Sequence, residues 1–328
     1  MKKLIALALV CVMLVGLLTG CMGVDTSKLK VALVVAGTFG DRSFYDSAKE
    51  GAERLAKDFD VELTTNECAN ENHSQKLKNA ADEANIVVCV GWEFSDIETI
   101  APTYPDVRFI WIDNATSQPV ANVLNITYAQ NEGSLLAGYI AAALSKSHVV
   151  GAVGGEDSDT INDFIVGYEQ GAKLYDESTK VVKNYTNSYD EPALGKECAL
   201  ALHDEGADVI FQIASASGDG VFEAAKEKGF YAIGVDSDQK HINPDVIVCS
   251  MKKEVGNSIY DAIKGYIENG EKFDKWGTTW TTGLSDGFVG IGYGDEKSTQ
   301  QVSDELKAEV EALAAKVASG EIQVATTR

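Results

Sequence analysis

The sequence predicts an α/β protein built from two doubly wound domains, each with a parallel sheet. From Lys30 onward, short β-branched runs alternate with segments of helical period, which is typical of strand–helix–strand units. The alternation restarts near His148, so that the chain divides into two successive series. No short-period repeat is present, and two ordinary domains fit a chain of 328 residues.

The first series combines apolar strands with helices that have one apolar side. The run KVALVVAG at 30–37 predicts a strand, and apolar or small residues recur on one side of the helix predicted at 43–59. Further elements follow the same two patterns. They are strands at 61–65, 85–91, 107–113 and 122–128, and helices at 73–83 and 131–146.

The second series repeats this organisation after residue 147. Strands are predicted at 148–155, 180–186, 207–214 and 230–236, and helices at 161–176, 192–205 and 218–228. The remaining residues add a strand at 245–251, a helix at 254–269, a stretch rich in Gly and Trp at 276–294, and a helix at 302–319.

Residues 239–328 are too few for a third domain of this kind. They are therefore expected to complete the first two domains, with the chain crossing between them several times. We assign residues 30–127 and 239–276 to an N-terminal lobe, and residues 128–238 and 277–328 to a C-terminal lobe.

The N-terminus has the pattern of a bacterial lipoprotein signal. Lys2 and Lys3 precede an apolar run of signal-peptide length, which ends in the sequence LTGC at 18–21. We expect residues 1–20 to be removed, Cys21 to carry a diacylglyceryl group, and residues 21–29 to form a short tether. Two or more acyl chains would anchor the protein in the bilayer at the outer face of the cell membrane. The alternative is an ordinary signal peptide with a chance cysteine.

Charge and cysteine content exclude several classes of partner. Removal of residues 1–20 leaves 26 basic against 50 acidic side chains, which argues against nucleic acid and other polyanions. The remaining cysteines form no CxxC pair, so we expect buried thiols rather than a metal site, although an extracytoplasmic disulfide stays open. These cysteines are Cys68, Cys89, Cys198 and Cys249.

Catalysis is not indicated by any motif. The four histidines are scattered, and no GxSxG, HExxH or GxxxxGK[ST] sequence occurs. No pair of carboxylates stands out as an acid and a base. We therefore expect a protein that is not an enzyme and that uses no cofactor or metal.

Five segments in register resemble the basic membrane protein family. They are GDRSFYDSAKEG (40–51), APTYPDVRFIWID (101–113), NEGSLLAGYIAAAL (131–144), GDGVFEAAKEKGFYAIGVDSDQ (218–239) and CSMKKEV (249–255). That family comprises lipid-anchored substrate-binding proteins of ABC importers, including purine nucleoside receptor lipoproteins. The resemblance implies a type I periplasmic-binding-protein fold, with two lobes, three crossovers and a ligand in the cleft. It also implies an ABC permease as the partner in the membrane.

Asp236 is the main candidate for ligand binding. It ends the predicted buried strand 230–236, and ligands of such sheets bind beyond the carboxyl ends of the strands. A carboxylate there can accept two charge-assisted hydrogen bonds from a vicinal diol. The resemblance implies that this aspartate binds ribose hydroxyls. The alternative is an Asx turn in which Asp236 caps its own backbone, although Asp238 is the better candidate for that turn.

Phe44 and Asp46 lie at the start of the first predicted helix. The resemblance implies that Phe44 contacts the face of a purine, whereas its place on the apolar side of the helix also allows core packing. Ser43 and Asp46 have the spacing of a helix cap, and the resemblance implies that Asp46 holds polar edge atoms of the base. Tyr45 stands where the nucleoside receptors usually have asparagine, which leaves the base preference open.

Four further residues are candidates on weaker patterns. Tyr189 aligns loosely with a second stacking aromatic, and Trp92 follows a buried strand, although either can be a surface or packing residue. Gly218 lies in a strand-to-helix turn whose N–H groups could bind a ligand oxygen, or which simply needs glycine. The resemblance implies that Lys253 lies near the ribose. The alternative is a solvated lysine at the start of a helix.

The sequence thus predicts a receptor lipoprotein that captures a nucleoside, with a purine base favoured, and presents it to an ABC permease. Hinge closure would select the liganded form. Two alternatives remain open at this point. One is a ligand-sensing receptor read by a membrane partner, and the other is an importer component for another heterocycle, such as riboflavin, or for a sugar.

Overall fold

The computed structural model describes residues 24–26, 29–69 and 72–327, which form two six-stranded sheets with helices. The strands are β1 (Lys30–Val35), β2 (Glu62–Glu67), β3 (Ile86–Val90), β4 (Arg108–Ile112), β5 (Val123–Tyr128), β6 (Val149–Gly154), β7 (Lys180–Tyr185), β8 (Val209–Ile213), β9 (Tyr231–Asp236), β10 (Ile247–Lys253), β11 (Thr279–Thr282) and β12 (Val289–Gly292).

The helices follow the strands in the alternation that the sequence predicts. They are α1 (Phe44–Phe59), α2 (His73–Glu83), α3 (Ile97–Ile100), α4 (Gln130–Leu144), α5 (Asp159–Tyr175), α6 (Pro192–Asp204), α7 (Asp219–Lys228), α8 (Val255–Asn269) and α9 (Asp304–Ala318). Short 3₁₀ turns lie at Trp92–Phe94, Ala101–Thr103, Ser215–Gly218, Gln239–Ile242, Gly270–Lys272 and Leu284–Asp286.

The sheets have the strand orders β11-β5-β4-β3-β1-β2 and β12-β10-β9-β8-β6-β7. The pairs within them are parallel, except that β10 and β12 run antiparallel. Central strands such as β3 are buried at every residue, because helices cover both faces of a parallel sheet. This is the doubly wound α/β architecture of a type I periplasmic-binding-protein fold, as predicted.

The chain crosses between the two lobes three times: after β5, after β10 and after β11. Helix α8 returns to the first lobe, where it packs on α1, and helix α4 packs on α5 in the second lobe. The predicted number of crossovers is therefore confirmed, and the cleft between the lobes lies beside these three connections.

Two strands lie in the opposite lobe from the one predicted. Strand β10 pairs with β9, so residues 239–253 belong with the second sheet although we assigned 239–276 to the N-terminal lobe. Strand β11 pairs with β5 in the first sheet, although we assigned 277–328 to the C-terminal lobe. The sheet to which a strand belongs depends on the neighbouring strand with which it pairs. The hydrophobic pattern along the chain does not reveal that neighbour.

The stretch rich in Gly and Trp contains two strands that the sequence pattern did not indicate. Both β11 and β12 have only four residues, and neither is buried along its whole length. Such short, partly exposed edge strands carry too few residues for a period-2 pattern to be recognised.

The four cysteines Cys68, Cys89, Cys198 and Cys249 are buried, and none of them forms a disulfide. The expectation of buried thiols is therefore confirmed for these described residues. No helix within the described ranges is both long and apolar enough to cross a bilayer. The predicted signal peptide and Cys21 lie outside the described residues.

Helices α4 and α5 approach each other closely through glycines. A Cβ atom added to Gly171 would lie 1.8 Å from the carbonyl oxygen of Leu135, and one added to Gly138 would lie 1.9 Å from that of Tyr168. Both contacts would be with backbone atoms, which cannot move aside as the end of a flexible side chain can.

Replacement of Gly171 by alanine is therefore expected to destabilise the fold by about 1–3 kcal/mol, as overpacking in a core does. Chemical denaturation of the purified variant measures this loss. The matched control is Gly290→Ala, since an added Cβ at Gly290 meets no atom within 4 Å. Equal unfolding midpoints for the two variants would contradict the close helix packing.

Candidate ligand-binding site

A cavity of about 500 Å³ lies between the lobes, at the carboxyl ends of the parallel strands of both sheets. Its lining includes residues that follow β1, β3 and β4 of the first sheet, and β6, β7, β8 and β9 of the second. Five of the seven predicted site residues line it: Phe44, Trp92, Tyr189, Asp236 and Lys253.

Asp236 ends strand β9 with its carboxylate in the cavity wall. The residue is 8% exposed, and its φ of 61° lies in the left-handed region that few residues other than glycine adopt. Burial raises the pKa of Asp236 to about 6, while Lys253 and the hydroxyl of Ser43 oppose that rise. Ser43 Oγ donates a hydrogen bond of 2.6 Å to Asp236 Oδ2 from the opposite lobe.

The alternative of an Asx turn at Asp236 does not describe this geometry. The N–H of Ser237 donates to the carbonyl oxygen of Val235, at 2.8 Å. The turn is made two residues later, where Asp238 accepts hydrogen bonds from the backbone N–H groups of Lys240 and Gly294. The prediction that Asp238 makes the turn is confirmed.

Lys253 is a buried cation beside Asp236. It is 1% exposed, and its Nζ lies 2.5 Å from Oδ2 of Asp113, the residue that follows β4. The Nζ also lies 5.2 Å from the ring centroids of Phe44 and Phe164, and 5.0 Å from that of Tyr128, at cation–π distance. Two carboxylates and one ammonium group therefore share the hinge end of the cavity. The alternative that Lys253 is a solvated lysine is therefore wrong.

Aromatic side chains form much of the remaining wall. Phe44 and Tyr45 lie 5.5 Å apart between ring centroids, tilted by 52°. Tyr189 packs directly on the backbone of Gly155, where an added Cβ would lie 2.0 Å from its ring. Trp92 lines the cavity but is 58% exposed, as expected of a residue at its mouth. A flat, partly apolar ligand matches such walls.

The loop at residues 41–43 of the first lobe forms hydrogen bonds with the second lobe across the cleft. Asp41 accepts hydrogen bonds from the backbone N–H groups of Ser43, Tyr45 and Asp46, which caps helix α1. Its carboxylate also accepts a hydrogen bond of 2.9 Å from Ser215 Oγ in the second lobe.

Arg42 adds two further contacts between the lobes. Its guanidinium forms an ion pair with Asp219, and its carbonyl oxygen accepts from Gln239 Nε2 at 3.1 Å. The two lobes are therefore hydrogen-bonded to each other in this structure.

The family model described as "ABC transporter substrate-binding protein PnrA-like" matches residues 28–328. The chain belongs to this family, named Bmp. Basic membrane protein A of Borreliella afzelii is 31% identical over 312 residues, which cover 93% of this chain and 94% of that protein. Basic membrane protein A of Borreliella burgdorferi is 32% identical over 305 residues, covering 91% and 88% respectively.

Among solved structures, this Bmp-family chain is similar to an ABC transporter system solute-binding protein from Aeropyrum pernix K1. The TM-score is 0.81 with 27% identity, and the match covers 91% of this chain and 93% of that one. The protein is therefore a substrate-binding protein of an ABC transporter, a class that acts outside the cytoplasm on a small molecule and with a membrane permease. It is not an enzyme.

Two predicted site residues of this Bmp-family chain do not line the cavity. The carboxylate of Asp46 accepts hydrogen bonds from the N–H groups of Gly40 and Arg42, at 2.8 and 2.9 Å, and so holds its own loop. Gly218 packs against the side chain of Gln212, where an added Cβ would lie 1.9 Å from the amide oxygen. The helix cap predicted for Ser43 is also absent, because its hydroxyl donates to Asp236.

The structure brings further residues to the cavity that the sequence reasoning did not select. Asp113 follows the buried strand β4 just as Asp236 ends β9, so VRFIWID and YAIGVD carry the same signal of a carboxylate at a strand end. Glu93 follows β3 and Glu156 follows β6, so the rule that ligands bind beyond the carboxyl ends of strands applies to both, although no pattern singled out their carboxylates. Asp41 does not line the cavity but contacts Ser215 of the second lobe, and its only sequence signal was its place before a helix.

Proposed function

We propose that this Bmp-family protein binds a purine nucleoside in the cavity between its lobes and presents it to an ABC permease. The observation that carries the proposal is Asp236, a buried carboxylate in the cavity wall among aromatic side chains. An ionised carboxylate accepts two charge-assisted hydrogen bonds from the cis-diol of a ribose, and these restore the solvation that burial removed. Phe44 and Tyr189 offer faces on which a planar base can stack.

The proposed mechanism is closure of the two lobes over the ligand. Contacts that exist only in the closed form select that form, and a ligand touching both lobes adds to them. The contacts of Asp41, Arg42 and Ser43 with the second lobe support this mechanism, since an open cleft would separate them.

We further propose that the mature protein is held at the outer face of the membrane by acyl chains on Cys21. The LTGC sequence supports this modification. Mass spectrometry of the protein purified with its N-terminus intact should show loss of residues 1–20 and the added mass of the lipid. An unmodified N-terminal residue other than Cys21 would contradict the anchor.

The function is tested by identifying the ligand that copurifies with the protein. Native mass spectrometry should detect a nucleoside mass, which denaturation releases. Calorimetry with inosine, guanosine, adenosine, cytidine and riboflavin should then show tight binding of at least one purine nucleoside and weaker binding of cytidine. Preferential binding of riboflavin, or of a sugar in a second panel, would overturn the nucleoside assignment.

Closure itself predicts a measurable effect of the contact between Arg42 and Asp219. Arg42→Ala is expected to lower the affinity for the tightest-binding nucleoside by about two- to fivefold, because a partly exposed ion pair contributes up to about 1 kcal/mol. The free energy of unfolding should change little. Titration calorimetry and chemical denaturation measure the two quantities.

The control for Arg42→Ala is Lys196→Ala. Lys196 pairs with Glu227 at 2.9 Å inside the second lobe, so its loss leaves the contact between the lobes unchanged. Identical affinities for the two variants would argue against a role of the Arg42–Asp219 pair in closure.

A further inference from the structure

Glu93 is a cavity residue whose chemistry the ribose site does not use. It follows β3 in the first sheet, within the 3₁₀ turn at 92–94. Its Oε2 is buried and has no hydrogen-bond partner among the residues that the structure describes. This oxygen lies over the backbone of Gly91, where an added Cβ would be 2.5 Å from it. A buried carboxylate oxygen without a partner costs free energy that a hydrogen-bond donor of a ligand would recover.

The surroundings of Glu93 differ from those of Asp236. Burial raises the pKa of Glu93, a hydrogen bond from its own backbone N–H and the charge of His73 oppose the rise, and Glu156 adds a smaller increase. The charges that act on Asp236 are instead Lys253, Asp41 and Asp113. Among the described residues that line the cavity, Lys253 is the only lysine, and it acts on Asp236 and not on Glu93.

The strand order places Glu156 and Asp236 apart. Glu156 follows β6, which is separated from β9 by β8. Neighbouring strands are about 4.8 Å apart, so the strands that carry Glu156 and Asp236 lie about 10 Å from each other. Tyr189 packs on the backbone of Gly155, the residue before Glu156, so its ring lies at the end of the cavity that contains Glu156. A nucleoside with its ribose at Asp236 and its ring on Tyr189 would direct the far edge of its base towards Glu93.

We propose that Glu93 selects the base by accepting two adjacent N–H donors, and that the preferred ligand is a nucleoside with a 2-amino-6-oxopurine edge, as in guanosine. A carboxylate only accepts, and its two oxygens match a pair of parallel N–H groups. The inference rests on the proposed function, because it takes the ribose to lie at Asp236.

The chemistry of the base edge makes the selection specific. Guanine offers its ring N1–H and its 2-amino group side by side, whereas hypoxanthine lacks the 2-amino group. Adenine turns an acceptor nitrogen towards a carboxylate that also accepts. A site whose buried polar group is left unpaired rejects such analogues strongly. In this proposal Glu93 takes the role at the base edge that the family resemblance implied for Asp46.

Calorimetry on the unmodified protein gives the first test. Guanosine is expected to bind at least tenfold more tightly than inosine and adenosine, while free guanine binds weakly. Equal affinities for the three nucleosides would overturn the role of Glu93 and leave the nucleoside function standing. Failure of every riboside to bind would overturn both. This comparison needs no variant, so the folding of a mutant does not enter it.

Glu93→Gln gives the second test, because an amide presents one acceptor and one donor. The ratio of guanosine to inosine affinity should fall to about one- to threefold, and adenosine should gain relative to guanosine. The control is Glu98→Gln on the same lobe, since Glu98 accepts from Ser117 and does not line the cavity. The ratio of guanosine to inosine affinity of the Glu98→Gln variant should equal that of the unmodified protein. A Glu93→Gln variant that folds and retains the original ratio would refute the assignment.

Discussion

Replacement of Asp236 by asparagine is expected to weaken the binding of every riboside by at least about 100-fold, because two hydrogen bonds to a charged acceptor contribute about 1.5–3 kcal/mol each. Binding of a free purine base should change little, since the base lies elsewhere in the cavity. Titration calorimetry with matched pairs such as guanosine and guanine measures both effects. An equal loss for nucleoside and base would contradict the ribose assignment.

The control for Asp236→Asn is the same substitution two residues later. Asp238 accepts from the backbone N–H groups of Lys240 and Gly294 and does not line the cavity. Asp238→Asn is expected to weaken the turn that Asp238 holds and so to lower the stability of the fold. Riboside affinity should stay within about twofold of the original value, since no contact to the ligand is lost.

The pKa of Asp236 predicts opposite effects of pH on binding and on stability. Burial raises the pKa in the folded, unliganded protein from 3.8 to about 6. The folded state then holds this proton more tightly than the unfolded state, so the contribution of Asp236 to the free energy of unfolding falls as pH rises from about 4 to 6. Riboside binding needs the ionised carboxylate, so affinity should fall as pH decreases through 6.

Asp236→Asn should remove both pH effects. At neutral pH the unliganded variant is expected to be about 1–3 kcal/mol more stable than the unmodified protein, because an uncharged side chain is cheaper to bury. Chemical denaturation between pH 4 and 8 measures this difference. A variant that loses both affinity and stability would show that Asp236 serves the fold instead of the ligand.

The sequence predicted those parts of the fold that depend on local pattern. Continuous apolar runs located strands such as β3 and β4, and the one-sided apolar pattern of 43–59 located α1, because burial of these side chains decides the element. It also identified Asp236, since a carboxylate at the end of a buried strand is conspicuous. The lobe of β10 depended on pairing with β9, which is a long-range property.

The side-chain directions in the site were the least predictable feature. Asp41 and Asp46 lie in one loop, and either carboxylate could have faced the cavity. Arg42 adopts a positive φ of 53°, which folds the loop back so that Asp46 accepts from it and Asp41 faces Ser215. Similarly, Gly91 has a φ of 129° and aims the following turn, including Glu93, into the cavity. No residue pattern specifies those dihedral angles.

Replacement of Lys253 by methionine is expected to destabilise the protein by about 3–5 kcal/mol, because removal of one partner of a buried ion pair leaves an uncompensated charge. Lys253 contacts Asp113 at 2.5 Å, and it is the main group that opposes the raised pKa of Asp236. Its loss should therefore raise the pKa of Asp236 further. Affinity for ribosides would then decline at a higher pH than in the unmodified protein.

Lys252→Met provides the comparison in the same strand. Lys252 is paired with Glu254 at 2.6 Å, but both side chains are partly exposed, so its loss should cost less than about 1 kcal/mol. Chemical denaturation of the two variants, with calorimetry from pH 5 to 8, separates the effects on stability and on binding. Similar stabilities for Lys253→Met and Lys252→Met would mean that Lys253 contributes no net stability beside Asp113 and Asp236. The affinity of the protein for ribosides, and its dependence on pH, should then be the same with and without Lys253.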